Sequence, residues 1–131
     1  MKEPFEFGPT VQPIPLTKYP RVPGSIVTVS GWGTTTMYGD RPKILQKVRI
    51  PLLPQWECKL LYKQDLITEY MLCAGRAGRS SCHGDSGGPM VYNGVQIGIV
   101  SWGRSCQRPD YPGVYASVSD LRDWIHENSG V

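Results

Sequence analysis

Six short runs of apolar and β-branched residues, separated by turn-forming residues, limit what this chain can fold into more than any other feature. They are IVTVSGW (26–32), LQKVRIPLL (45–53), YMLCA (70–74), PMVY (89–92), VQIGIVSW (95–102) and GVYASV (113–118). Runs of this length, rich in Val and Ile and bounded by Gly, Pro, Asn and Asp, read as strands. No helical rhythm alternates with them, so the strand–helix–strand units of a parallel sheet are missing. Asn93-Gly94 joins two of the runs and is the dipeptide that best tolerates positive φ at both centres of a two-residue hairpin turn. Hairpins make the sheet antiparallel, and the fold class that follows is all-β.

The ends of the chain differ from this middle. Six of the 12 prolines lie in the first 23 residues, where they remove backbone donors and favour extended or turn conformations. Residues 1–24 therefore read as a Pro-rich arm, and 25–131 as one barrel-sized domain. Two segments read as helix. One opens at Pro54 (PQWECKLLY); the other ends the chain, with Leu121, Trp124 and Ile125 as an apolar stripe behind a Ser119 cap. The stripe predicts that the last helix packs onto the barrel with Trp124 in the core.

Charge and hydropathy exclude several classes of function. The net charge is +3, with no block of five or six like charges to form a nucleic-acid stripe. No stretch approaches 18 apolar residues, and the first 20 residues lack the basic leader and apolar core of a signal peptide. Four cysteines, Cys58, Cys73, Cys82 and Cys106, allow three pairings, and none sits in a C-x-x-C or beside a His pair that would suggest zinc. Two disulfides in an oxidising compartment is the better reading. Because an exported protein needs a leader, the sequence reads as part of something longer.

The segment richest in chemistry is Ser80-Ser81-Cys82-His83-Gly84-Asp85-Ser86-Gly87-Gly88-Pro89. Three glycines around a serine let backbone amides converge on one point beside its hydroxyl, which is the requirement for an oxyanion hole. In family order and at close to family spacing, VSGWG (29–33), MLCAG, CHGDSGGP, GIVSWG and PGVYASV resemble the second half of trypsin- and chymotrypsin-like serine proteases. The resemblance implies a six-stranded antiparallel Greek-key barrel with a C-terminal helix. It implies Ser86 as the acylated nucleophile, with the amides of Gly84 and Ser86 as the oxyanion hole. It implies the disulfides Cys58–Cys73 and Cys82–Cys106. Ser80 and Ser81 would floor a specificity pocket walled by Ser101, Trp102, Gly103 and Gly113. Where trypsin-like members carry an aspartate this chain has Ser80, so the implied preference is for large apolar or aromatic residues before the scissile bond. Ser101-Trp102-Gly103 would pair with the substrate backbone. No metal or cofactor enters this chemistry.

The resemblance also has gaps. In chymotrypsin-like enzymes the base histidine and its orienting aspartate precede the serine. Here only His83 does, three residues away on the same loop, while His126 lies in the terminal helix. The family supplies both groups from a first barrel, so the implied partners are that barrel and a protein or peptide substrate, and the chain alone is expected to be nearly inactive. Asp85 would pair with a newly released amino terminus in the family; without one it is expected to stay exposed on a collapsed loop. Arg76, Arg79, Arg104 and Arg108 bracket the pocket as solvated charges, and His83 overhangs its mouth. An extracellular location follows from family and cysteines. Two rivals remain: an α/β-hydrolase using Asp120 or Asp123 with His126, which requires a helix directly after Ser86, and a non-catalytic homologue kept as a binding module.

Overall fold

The structure is a computed structural model that describes residues 3–20, 22–104, 106, 108 and 110–131. Its strands are β1 (Ile26–Gly31), β2 (Gln46–Pro51), β3 (Met71–Ala74), β4 (Pro89–Tyr92), β5 (Val95–Trp102) and β6 (Gly113–Ser117). They form one antiparallel sheet in the order β2-β1-β4-β5-β6-β3. The two outer strands meet: Leu53 N donates to Cys73 O at 2.8 Å and Gly75 N to Pro51 O at 3.0 Å, with Leu52 bridging Ala74. Joining the outer strands rolls the sheet into a barrel and removes the unpaired edges an open sheet would expose.

Local chemistry explains the pieces. In the β4–β5 hairpin Asn93 has φ 48° and Gly94 φ 75°, the two positive values a type I′ turn needs, and Tyr92 faces Val95 across it. Along β1, Val27 and Val29 are buried while Thr28 and Ser30 are half-buried, the period-2 alternation of a one-faced strand. The inward residues collect into two clusters. One joins Val27, Val29, Ile50, Leu52, Leu72, Met90, Val100 and Tyr115 at the barrel centre. The other places Cys58, Tyr62, Leu53, Ile67, Cys73 and Val114 under the helix α1 (Gln55–Leu61), where the Cys58–Cys73 disulfide ties helix to β3. Truncating a buried leucine such as Leu72 to alanine costs about 2–5 kcal/mol.

The arm is anchored where it reaches the barrel. Thr17 N donates to Gln96 O at 3.0 Å and Gln96 N to Pro15 O at 2.9 Å, so residues 15–17 lie alongside β5.

The terminal helix α2 (Arg122–Ser129) corrects two expectations. Ser119 does not cap it: the Ser119 hydroxyl lies 3.3 Å from Ser117 Oγ, which also donates to Asp120 Oδ2, and α2 starts after Leu121 with no side-chain cap. Nor does Trp124 enter the core. It is 62% exposed, and no residue of α2 is buried. The apolar stripe is only partly covered: Leu121 and Ile125 are half-buried, and Trp124 is left outside.

Candidate active site

Ser86 lies in a turn linking β3's side of the barrel to β4. Gly84 and Gly87 hold φ values of 99° and 80°, which a residue with a Cβ adopts only with strain. The turn is stitched by Asp85 N to Cys82 O (3.1 Å) and Gly88 N to Asp85 O (2.9 Å). Val100 fixes it to β5: Gly87 N donates to Val100 O, and Val100 N to Gly88 O, both at 2.9 Å. At that place the β5–β6 register slips between Val100 and Trp102, leaving Ser101 as an extra residue. Bulges of this kind re-aim side chains beside active sites. No helix follows Ser86; β4 begins at Pro89, against the geometry an α/β-hydrolase elbow requires.

Ser86 is exposed, and among the described residues nothing hydrogen-bonds its hydroxyl. The amides of Gly84 and Ser86 donate to no described backbone carbonyl, so both are available to a ligand oxygen. Beside them opens a cavity of about 210 Å³ whose walls include Ser80, Ser81, Cys82, His83, Ser86, Ser101, Trp102, Gly103, Cys106 and Gly113. Gly84 and Asp85 share the turn but are not among its walls. The disulfide Cys82–Cys106 joins two of these walls.

Tyr115, fully buried in β6, holds Ser81 of the cavity wall, its hydroxyl accepting the Ser81 amide at 3.2 Å. Burial pushes the Tyr115 phenol above its ordinary pKa, the Ser81 contact pulling the other way. A methyl on Gly113 would sit 2.7 Å from that hydroxyl, so glycine is required there; one on Gly103 would meet only ordinary 3.8 Å contacts but would narrow the opening. Tyr62 supports the outer wall. Its hydroxyl donates to Pro112 O at 2.5 Å and its ring meets Trp102 edge-on at 5.2 Å, burial raising its pKa too.

Asp85 differs from expectation. It is half-buried, its Oδ1 accepting Gly33 N at 2.8 Å and its Oδ2 accepting Cys82 N at 3.0 Å. The first of these bonds crosses 52 residues to the Gly31-Trp32-Gly33 corner, where a Cβ on Gly31 or Gly33 would collide with the carboxylate. The glycines are therefore the socket of Asp85, and the turn is held within this chain. Beside the carboxylate lies a second cavity of about 230 Å³, lined in part by Thr34, Lys47 and Arg79.

The basic residues separate. Arg76 pairs with Glu57 at 2.9 Å and Arg104 with Asp65 at 2.8 Å, while Arg104 and Arg108 both lie over the Tyr111 ring at 5.4 Å and 5.2 Å. One cation escaped the sequence reading altogether. Arg41, 43 residues before Gly84 and in a motif-free loop, places its guanidinium against that glycine. Nothing in its local sequence signals this position.

The trypsin family model matches residues 1–125. The chain is 44% identical to a vitellin-degrading protease of Bombyx mori, covering 98% of this chain and 50% of the relative. It is 45% identical to trypsin-1 of Astacus astacus, over 94% of this chain and 54% of that protein. Among solved structures, neuropsin, a serine protease expressed in the limbic system of mouse brain, superposes with a TM-score of 0.88 at 36% identity, covering 94% of this chain and 56% of its own. The chain thus spans about half the length of the curated relatives it matches. On sequence and fold together, it belongs to the trypsin family.

Proposed function

We propose that this chain is the nucleophile-bearing half of a serine endopeptidase. The observation that carries the proposal is an exposed Ser86 beside two amides with no acceptor, at the lip of a cavity sized for one large side chain. Ser86 attacks the scissile carbonyl, and the amides of Gly84 and Ser86 receive the oxyanion of the tetrahedral intermediate. Losing one such donor costs about 100- to 1,000-fold in rate. The cavity takes the side chain preceding the bond. An uncharged floor of Ser80 and Ser81, with small Gly103 and Gly113 in the walls, favours a large apolar or aromatic residue over Lys or Arg. Ser101-Trp102-Gly103 aligns the substrate backbone as an added strand.

The base histidine and orienting aspartate come from a first barrel outside this chain. The exposed Trp124 of α2, together with Phe5 and Phe7 of the arm, both 64% exposed, supports such a partner surface. Two disulfides support an extracellular setting.

Treatment with a fluorophosphonate probe tests this reading, with Ser86→Ala as control. The chain alone is expected to stay unlabelled, and to label at Ser86 once co-expressed with the first barrel of the Astacus relative. Silence in both states would favour a non-catalytic homologue acting as a binding module, the second reading that the unpartnered Ser86 hydroxyl leaves open.

A further inference from the structure

A guanidinium lying on the oxyanion-hole glycine has no role in the chemistry described so far. A methyl built on Gly84 would sit 3.0 Å from Arg41 Nε, 3.2 Å from Cζ and 3.3 Å from Nη2. Three atoms of one planar group at nearly equal distance mean that the group lies against the Gly84 peptide. Arg41 is exposed, and among the described residues it has no carboxylate partner. Asp40 is its exposed chain neighbour, and the Asp85 carboxylate, next along from Gly84, is held by the Gly33 and Cys82 amides. Lys43, also exposed, adds a second positive charge two residues on.

The position gives the charge a direction. Ser86 is among the walls of the 210 Å³ cavity, whereas Gly84 and the Arg41 guanidinium against it are not, so the cation lies outside the cavity at the Gly84 end of the turn. A peptide that fills the cavity with one side chain and points its carbonyl at the Gly84 and Ser86 amides carries its next residues out past that turn. Extended backbone advances about 3.3 Å per residue. The first or second residue after the scissile bond therefore passes within reach of Arg41, whose fork of donors matches a carboxylate bidentately.

We propose that Arg41 selects substrates carrying an acidic side chain in the first two positions after the scissile bond. The inference rests on the endopeptidase reading, and its test separates the two. With the complemented protein, paired peptides differing only by Glu or Gln at those positions are compared for kcat/KM. The Glu peptide is expected to be favoured about threefold to tenfold at low salt, with the preference fading toward unity near 1 M salt. Arg41→Gln should abolish the preference, and Arg41→Lys should restore part of it, since the charge returns without the fork. A second arm needs no catalysis: short acidic peptides titrated into the uncomplemented chain should shift the Arg41 Nε–H NMR signal with an affinity that falls for their Gln counterparts, while the Gly84 amide reports binding of either. Equal rates for the two peptides, or a preference that survives Arg41→Gln, would overturn the assignment while leaving the endopeptidase intact. Absence of cleavage with every peptide would strike the endopeptidase reading, and the titration would still decide the Arg41 assignment by whether the affinity falls for the Gln counterparts.

Discussion

The Ser86 turn and the terminal helix end up in opposite conditions, although the sequence marks both. Residues 82–88 are bound from three directions: within the turn, to Val100 of β5, and through Asp85 to the Gly31–Gly33 corner. Helix α2 has a left-handed Gly130 closing its last turn, yet none of its residues is fully buried, Ile125 being half-buried and Trp124 exposed. The contrast indicates which surfaces this chain completes by itself. It holds the Ser86 turn with its own residues and leaves Trp124 of the helix exposed.

The comparison breaks most sharply at Asp85. Asp85→Asn places an amide donor against one of two backbone N–H groups and removes the charge from both bonds, each worth about 1.5–3 kcal/mol when charge-assisted. Fluorophosphonate labelling of the complemented protein should fall by about 100-fold or more. Labelling within a few-fold of the parent would mean that the turn needs no tether.

Tyr115, beneath the same turn, sharpens the comparison through pH. Its folded pKa lies above the unfolded value of 10.0, so the neutral phenol's contribution is complete below pH 10. It is lost as pH rises through the folded pKa, because the unfolded chain releases this proton first. Urea midpoints should therefore decline above about pH 10, and Tyr115→Phe should flatten part of that decline. Tyr62, raised by burial as well, contributes in the same direction.

The smallest effect belongs to the helix. Trp124→Ala in the lone chain should change unfolding free energy by no more than about 0.5 kcal/mol, as for other exposed positions. A loss above about 3 kcal/mol in urea denaturation would place Trp124 in a packed core after all.

Much of this was legible in sequence because it is local. The six strands follow from β-branched runs, and the Asn93-Gly94 turn from two residues able to hold positive φ. What escaped was non-local. Trp124 lies in an amphipathic stripe, but periodicity says which face is apolar and not whether anything covers it. Ser119 has the right residue type for a cap, and its hydroxyl is instead placed beside Ser117. One partner of Asp85, Gly33, lies 52 residues upstream, and nothing in the VSGWG run marks Gly31 and Gly33 as a carboxylate socket. Arg41 has the same history: its position on Gly84 is made by the closed barrel, not by its neighbours in sequence.

Amide hydrogen exchange on the lone chain, followed by NMR, tests the central claim that this chain holds its Ser86 turn with its own residues. The account predicts that the amides of Gly33, Cys82, Gly87 and Gly88 exchange slowly, on the scale of the β1–β2 ladder. Exchange of those four at the rate of unstructured peptide, with the ladder still protected, would contradict it.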